Sequence, residues 1–204
     1  MTLTAEPWAL TRDAVQGAAS EGLDDNQLEI AFGVISMFNY FTRVADATGI
    51  EFDYQTPLPA FKPDLRRTAL PRPDRPDDFG RSSSRRHPRD ERLRGAWEAW
   101  RAYQMEGDGP LSPGERRLLA AVAAEEAADW ECAEALGGTS VADDALLADF
   151  ARKLSREPWS MEPGDLEEMR AAGYSERAIL RAISLVAHQN ADSRLAAGLT
   201  FVGS

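Results

Sequence analysis

The residues that can do chemistry in this chain are few, and they gather near residue 130. The run Asp129-Trp130-Glu131-Cys132 carries the only cysteine. Glu125, Glu126 and Glu134 extend it into an acidic cluster. A thiol near a helix start has a lowered pKa and attacks as a thiolate. Carboxylates beside it push that pKa back up. Paired carboxylates do acid/base work, or hold a metal, when a cleft buries them. Here no histidine accompanies them, which makes a poor set for zinc, and no metal or cofactor site is expected. The plain alternatives are a small buried cysteine and a solvated acidic face.

Two further sets bear on chemistry. His188 is one of two histidines and sits two residues before Asn190 in a helical stretch. His87 lies in a proline-rich stretch. The pairs Asn39/Arg43 and Asn190/Arg194 each follow an apolar stripe at steps of four. If buried, they must bind loop carbonyls or a carboxylate. Their occurrence in duplicate favours that structural role over a single active site.

The duplication is general. Residues 6–46 lie over 157–197 without a gap, with 8 identities in 41. Glu6-Pro7-Trp8 falls on Glu157-Pro158-Trp159, and Gly22 on Gly173. Conservative replacements such as Leu28/Ile179, Val34/Leu185 and Thr42/Ser193 surround the identities. Each copy reads as helix–turn–helix. Gly173 suits a helix C′ position, where positive φ is needed. Ser175 and Asp24 are N-caps of the next helix, and Gln27 completes a capping box. Leu23 with Leu28, and Tyr174 with Ile179, have the spacing of hydrophobic staples. The second helix then carries Leu28, Ala31 and Ile35 in one copy, and Ile179, Ala182, Ile183 and Val186 in the other.

Between the copies, residues 55–94 hold 7 of the 12 prolines, which excludes helix or sheet interiors. From Lys62 to Arg94 there are eleven Lys/Arg against six Asp/Glu. This basic strap is either a solvated linker or a segment laid on an acidic surface, its own or a partner's. Helix returns over 95–106, with Trp97, Trp100 and Gln104 at helical steps. Ser112, Pro113 and Glu115 mark a strong helix start. That helix runs to about Ala128, and Glu125 and Asp129 share a face if it continues. Another runs from Asp129 toward Leu136 and stops at Gly137-Gly138. A further helix spans Val141 to Leu154. No alternating strand pattern occurs, so the chain is expected to be all-α. The organisation expected is a partial helical repeat (1–54), a basic linker (55–94) and a helical domain (95–204).

The formal net charge of −11 argues against nucleic acid and anionic membranes. No apolar run is long enough to span a bilayer, and the first residues do not form a signal peptide. A lone cysteine excludes an internal disulfide and suits a reducing cytoplasm.

Residues 111–198 resemble the alkylhydroperoxidase AhpD-like/carboxymuconolactone decarboxylase superfamily, especially its peroxidase-related members. The resemblance is carried by Leu111-Ser112-Pro113-Gly114-Glu115-Arg116, by 147–158 (LADFARKLSREP) and by 165–179 (DLEEMRAAGYSERAI). Residues 38–46 (FNYFTRVAD), followed by Gly49, are similar to the end of the same domain. The resemblance implies a helical bundle that assembles as a dimer or higher oligomer. It also implies two-cysteine peroxidase chemistry, with a glutamate and a histidine moving protons. In this chain the first cysteine position holds Asp129 and the glutamate position Arg117, and no histidine stands among Ala133, Glu134, Ala135 and Leu136 after Cys132. Only Cys132 is kept, and one cysteine cannot close a two-cysteine cycle.

Three functions follow as expectations. One is a peroxidase-related protein without the two-cysteine activity, working by one-cysteine chemistry or as partner of an intact paralogue. Another is a non-redox acid/base enzyme, of decarboxylase or lactone type, acting on a small acid. The last is a non-catalytic structural or regulatory module. Candidate catalytic residues are Cys132, Asp129, Glu131 and His188.

Overall fold

The computed structural model describes residues 2–50, 71–75, 87–138 and 144–203. Most of the linker 55–94 and the expected helix start at Val141 lie outside the described residues. Every regular element among the described residues is helical, so the fold is all-α. Among the described residues, no helix is long and apolar enough to cross a membrane.

The helices are α1 (Thr2–Ala5), α2 (Arg12–Ser20), α3 (Asp25–Thr48), α4 (Glu91–Glu106), α5 (Pro113–Glu126), α6 (Trp130–Ala135), α7 (Ala145–Arg156), α8 (Pro163–Ala171) and α9 (Glu176–Leu199). Short 3-10 turns at Pro7–Ala9 and Pro158–Ser160 follow α1 and α7. Adding 151 to the bounds of the first turn, α2 and α3 gives the bounds of the second turn, α8 and α9. Gly22 and Gly173, at φ 102° and 95°, close the matched first helices.

Local chemistry sets these boundaries. Asp24 and Gln27 exchange bonds of 2.8 and 2.9 Å in a complete capping box at the start of α3. Ser112 and Glu115 do the same for α5, with Pro113 at N1. Ser175 caps α9 through the Ala178 amide. Each cap satisfies backbone N–H groups that a helix start leaves unpaired. Helix α4 begins four residues before the expected position because Asp90 accepts from the Leu93 amide and acts as its N-cap.

Helix α9 is the axis of the molecule. It is buried along nearly its whole length. Its first half joins α5, α7 and α8 in one apolar core with Leu119, Leu147, Leu154, Ile179 and Ile183. Its second half joins α1, α3 and α4 in another with Phe32, Trp97, Leu195 and Leu199. Helix α3 packs along α9, so both sequence segments build one continuous interior. A Cβ added to Gly198 would lie 2.6 Å from Phe32 Cγ, which shows how closely the two helices approach.

Candidate functional site

The candidate site is built from the end of α5, the short helix α6 and the middle of α9. Helix α5 stops at Glu126 in a Schellman motif. The Asp129 amide bonds the Ala124 carbonyl, and the Ala128 amide bonds that of Glu125. Ala128 takes the C′ position with φ 55°, where glycine is usual. The helix is therefore not continuous through Asp129. The condition for Glu125 and Asp129 to share a helix face is not met.

Asp129 begins α6 as its N-cap, with Oδ1 accepting from the Cys132 amide at 3.3 Å. Its carboxylate is thus used in capping. Glu131 is half-buried in the first turn of α6. Cys132 is 2% exposed and packs with Ala124 and Ala133. Its Sγ receives Gln189 Nε2 at 3.3 Å, and the same amide group reaches Ser193 Oγ at 3.1 Å.

His188 neighbours Gln189 in sequence but faces another way. It is buried, and its ring meets Trp100 of α4 edge-on at 4.6 Å between centroids. One turn on, Asp192 accepts from Trp97 Nε1 at 2.8 Å. Cys132, Asp129 and Glu131 thus belong to α6, while His188 belongs to the α4 side of α9. None of the described cavities is lined by His188 or Cys132.

An open cleft of about 530 Å³ lies between α4, the first turns of α5 and the C-terminal end of α6. Glu98, Arg101, Met105, Glu106, Arg117 and Leu136 line it. The cleft can hold a small polar molecule, but it presents neither a thiol nor an imidazole. Among the described residues, no cluster of three potential metal-ligating side chains occurs.

The duplicated Asn/Arg pairs do what their spacing suggested. Asn39 Nδ2 bonds the Ile35 carbonyl at 2.9 Å, and Asn190 Nδ2 bonds that of Val186 at 3.0 Å. Arg43 Nη1 reaches Asn39 Oδ1 at 3.1 Å, and Arg194 Nη1 reaches Asn190 Oδ1 at 2.8 Å. The arginines then cross over. Arg43 Nη2 donates to the Ser155 carbonyl in α7, and Arg194 Nε to the Thr4 carbonyl in α1. Thr4 and Ser155 are themselves 151 residues apart. The Asn side chains approach the same two residues, through Thr4 Oγ1 and Ser155 Oγ. Such reciprocal contacts are the pattern of a local two-fold relation. Burial pulls the Arg43 guanidinium down to about 10, with Asp46 opposing. Burial, then the nearby Arg43, lowers Arg194 as well. Arg43 still carries its charge at neutral pH, and both arginines meet the carbonyl ends of helices, where cations are favoured.

The basic strap lies on acidic surface of its own chain at the described positions. Arg72 donates to the Glu125 carbonyl and covers the Trp130 ring. Arg75 pairs with Glu134 at 2.7 Å. Arg89 pairs with Asp25 and bonds the Val202 carbonyl, while Glu29 accepts the Arg89 and Asp90 amides. Part of the acidic cluster near Cys132 is therefore engaged by arginines. His87 lines a cavity of about 30 Å³, one water in size, beside Trp97 and Asp192.

Sequence reading missed Gln189 as the thiol's neighbour and Trp100 as that of His188. Repeat symmetry offered a signal for both. Gln189 replaces Phe38 and His188 replaces Met37, so a polar side chain enters α9 where the first copy has an apolar one. Compared with family models, curated proteins and solved structures, the chain finds no match.

Proposed function

We propose that this chain is a diverged relative of the AhpD-like superfamily that has lost peroxidase chemistry and works as a non-catalytic helical assembly module. The observation that carries this reading is the setting of Cys132. The thiol is buried, lines no described cavity and is held by the Gln189 amide. A peroxidatic thiolate needs exposure and an electropositive setting. Here an aspartate caps its helix and a glutamate precedes it. The open cleft lined by Arg101, Met105, Arg117 and Leu136 presents neither a thiol nor an imidazole. The acid/base alternative is weakened in the same way, since His188 packs on Trp100 and does not line the cleft.

Intact-mass measurement under a tenfold excess of an organic hydroperoxide tests the proposal. The folded protein is expected to keep its mass, and protein unfolded in guanidinium to gain oxygen at Cys132. Stoichiometric oxidation of the folded chain, abolished by Cys132→Ser, would overturn it in favour of one-cysteine chemistry.

A further inference from the structure

Helices α3 and α9 share length, caps and polar locks, yet one matched face has opposite fates. In α9 the positions Leu185, His188, Gln189 and Asp192 are 1–4% exposed. Helix α4 covers them through Trp97 and Trp100, and α6 through Cys132. The matched positions on α3 are Val34, Met37, Phe38 and Phe41, and they are 41–63% exposed. Ile30, one turn earlier, is half exposed too. Solvated helix faces carry charge. This one carries none, because Glu29 and Arg43, the charged residues between Asn26 and Ala45, are both buried.

We propose that this α3 face is the interface between two copies of the chain. Five large apolar side chains at these exposures present roughly 500 Å² per copy, taking ~200 Å² for each aromatic or aliphatic side chain. That is toward the upper end of the largest apolar patch on an ordinary monomer, roughly 300–600 Å², and such patches are often functional. Two such faces together bury about 1,000 Å², the floor for a specific interface, before any rim is counted. A two-fold contact needs only one self-complementary patch. The patch also contains its own receptacle, a pit of about 270 Å³ formed by Thr4, Val34, Ile35, Phe38, Asn39 and Thr42. It is large enough for the Phe38 or Phe41 ring of the mate, and aromatic anchors in pockets dominate such contacts. Charge favours a second copy as the occupant. A face that selects a foreign partner uses charges to steer and discriminate. In a chain of net charge −11, like copies repel everywhere except where charge is absent.

Sedimentation velocity between 1 and 100 µM reads the result. The wild type is expected at twice the 22.4 kDa chain mass, with added salt tightening the pair. Phe38→Glu with Phe41→Glu is expected to weaken association at least a hundredfold while leaving the circular dichroism spectrum unchanged. Leu180→Glu, exposed on α9 outside the patch, should leave the dimer intact. A wild type that stays monomeric at 100 µM, with the face open to some other partner, overturns the inference. So does a dimer that survives the double change. A peroxide-reactive Cys132 would defeat the functional proposal above and leave this one standing.

Discussion

At the residue scale, the polar side chains around the candidate site hold backbone and neighbouring side chains. Asp129 caps a helix, Gln189 occupies a thiol, and Arg43 and Arg194 close helix ends. Tyr174 shows the same economy. Its hydroxyl shares one proton between Glu115 Oε1 at 3.0 Å and Asp144 Oδ2 at 2.9 Å, tying α5 and the start of α7 to the turn before α9. Burial first, then these two bonds, raise the phenol above its ordinary value of 10. Glu115 is lowered below 4.5, because bonds from Ser112 and Tyr174 outweigh its own burial. A raised phenol stabilises the fold below pH 10 and loses that contribution as pH climbs past it. A lowered carboxylate stabilises above pH 4.5 and loses its contribution as pH falls below it. Tyr174→Phe is therefore expected to cost about 1–2 kcal/mol at pH 7. Urea titrations should show the gap to wild type narrowing at both pH 3.5 and pH 10.5. Of the candidate site, the lone Cys132 and the acidic residues beside it were legible in the sequence directly. The sequence could not disclose burial of Cys132 and His188, because burial is set by α4, α6 and α9 meeting across 30 or more residues of chain.

At the element scale, the helix starts were legible because caps are local. Asp24/Gln27, Ser112/Glu115 and Ser175 lie within three residues of the amides they satisfy. The covered and open faces of α9 and α3 were not legible, since Val34 and Leu185 look alike in sequence and differ only in neighbours. Two small side chains carry tests of element packing. Gly198→Ala should cost about 1–3 kcal/mol, as overpacking against Phe32 does, and thermal melts would register it. Ala128→Gly should stabilise by roughly 0.5–1 kcal/mol, since a left-handed alanine is strained by somewhat more than the extra freedom of glycine in the unfolded chain. A lower melting temperature for Ala128→Gly would show that the turn between α5 and α6 tolerates its alanine without strain.

At the scale of the whole molecule, the matched segments act as each other's supports. Arg43 reaches from the first segment into α7, and Arg194 from the second into α1. Arg43→Met should then loosen the opposite segment, with faster amide exchange around Ser155 and Arg156 as well as a loss of about 2–3 kcal/mol from charged hydrogen bonds. Exchange confined to α3 would show that the crossed bonds do not couple the halves. The offset of 151 residues predicted that both copies would use Asn and Arg alike. It did not reveal the crossing, because a repeat specifies parts and not which copy each part touches. The strap between the copies has a topological consequence. The connection from Gly49 to Glu91 is fastened at Arg72, Arg75 and Arg89, so the chain closes several short loops instead of one long one. Closure entropy grows only with the logarithm of length, about 0.6 kcal/mol for each doubling. An insertion between residues 75 and 87 would leave the fastenings at Arg72, Arg75 and Arg89 in place, so a reporter spliced there is expected to cost little stability.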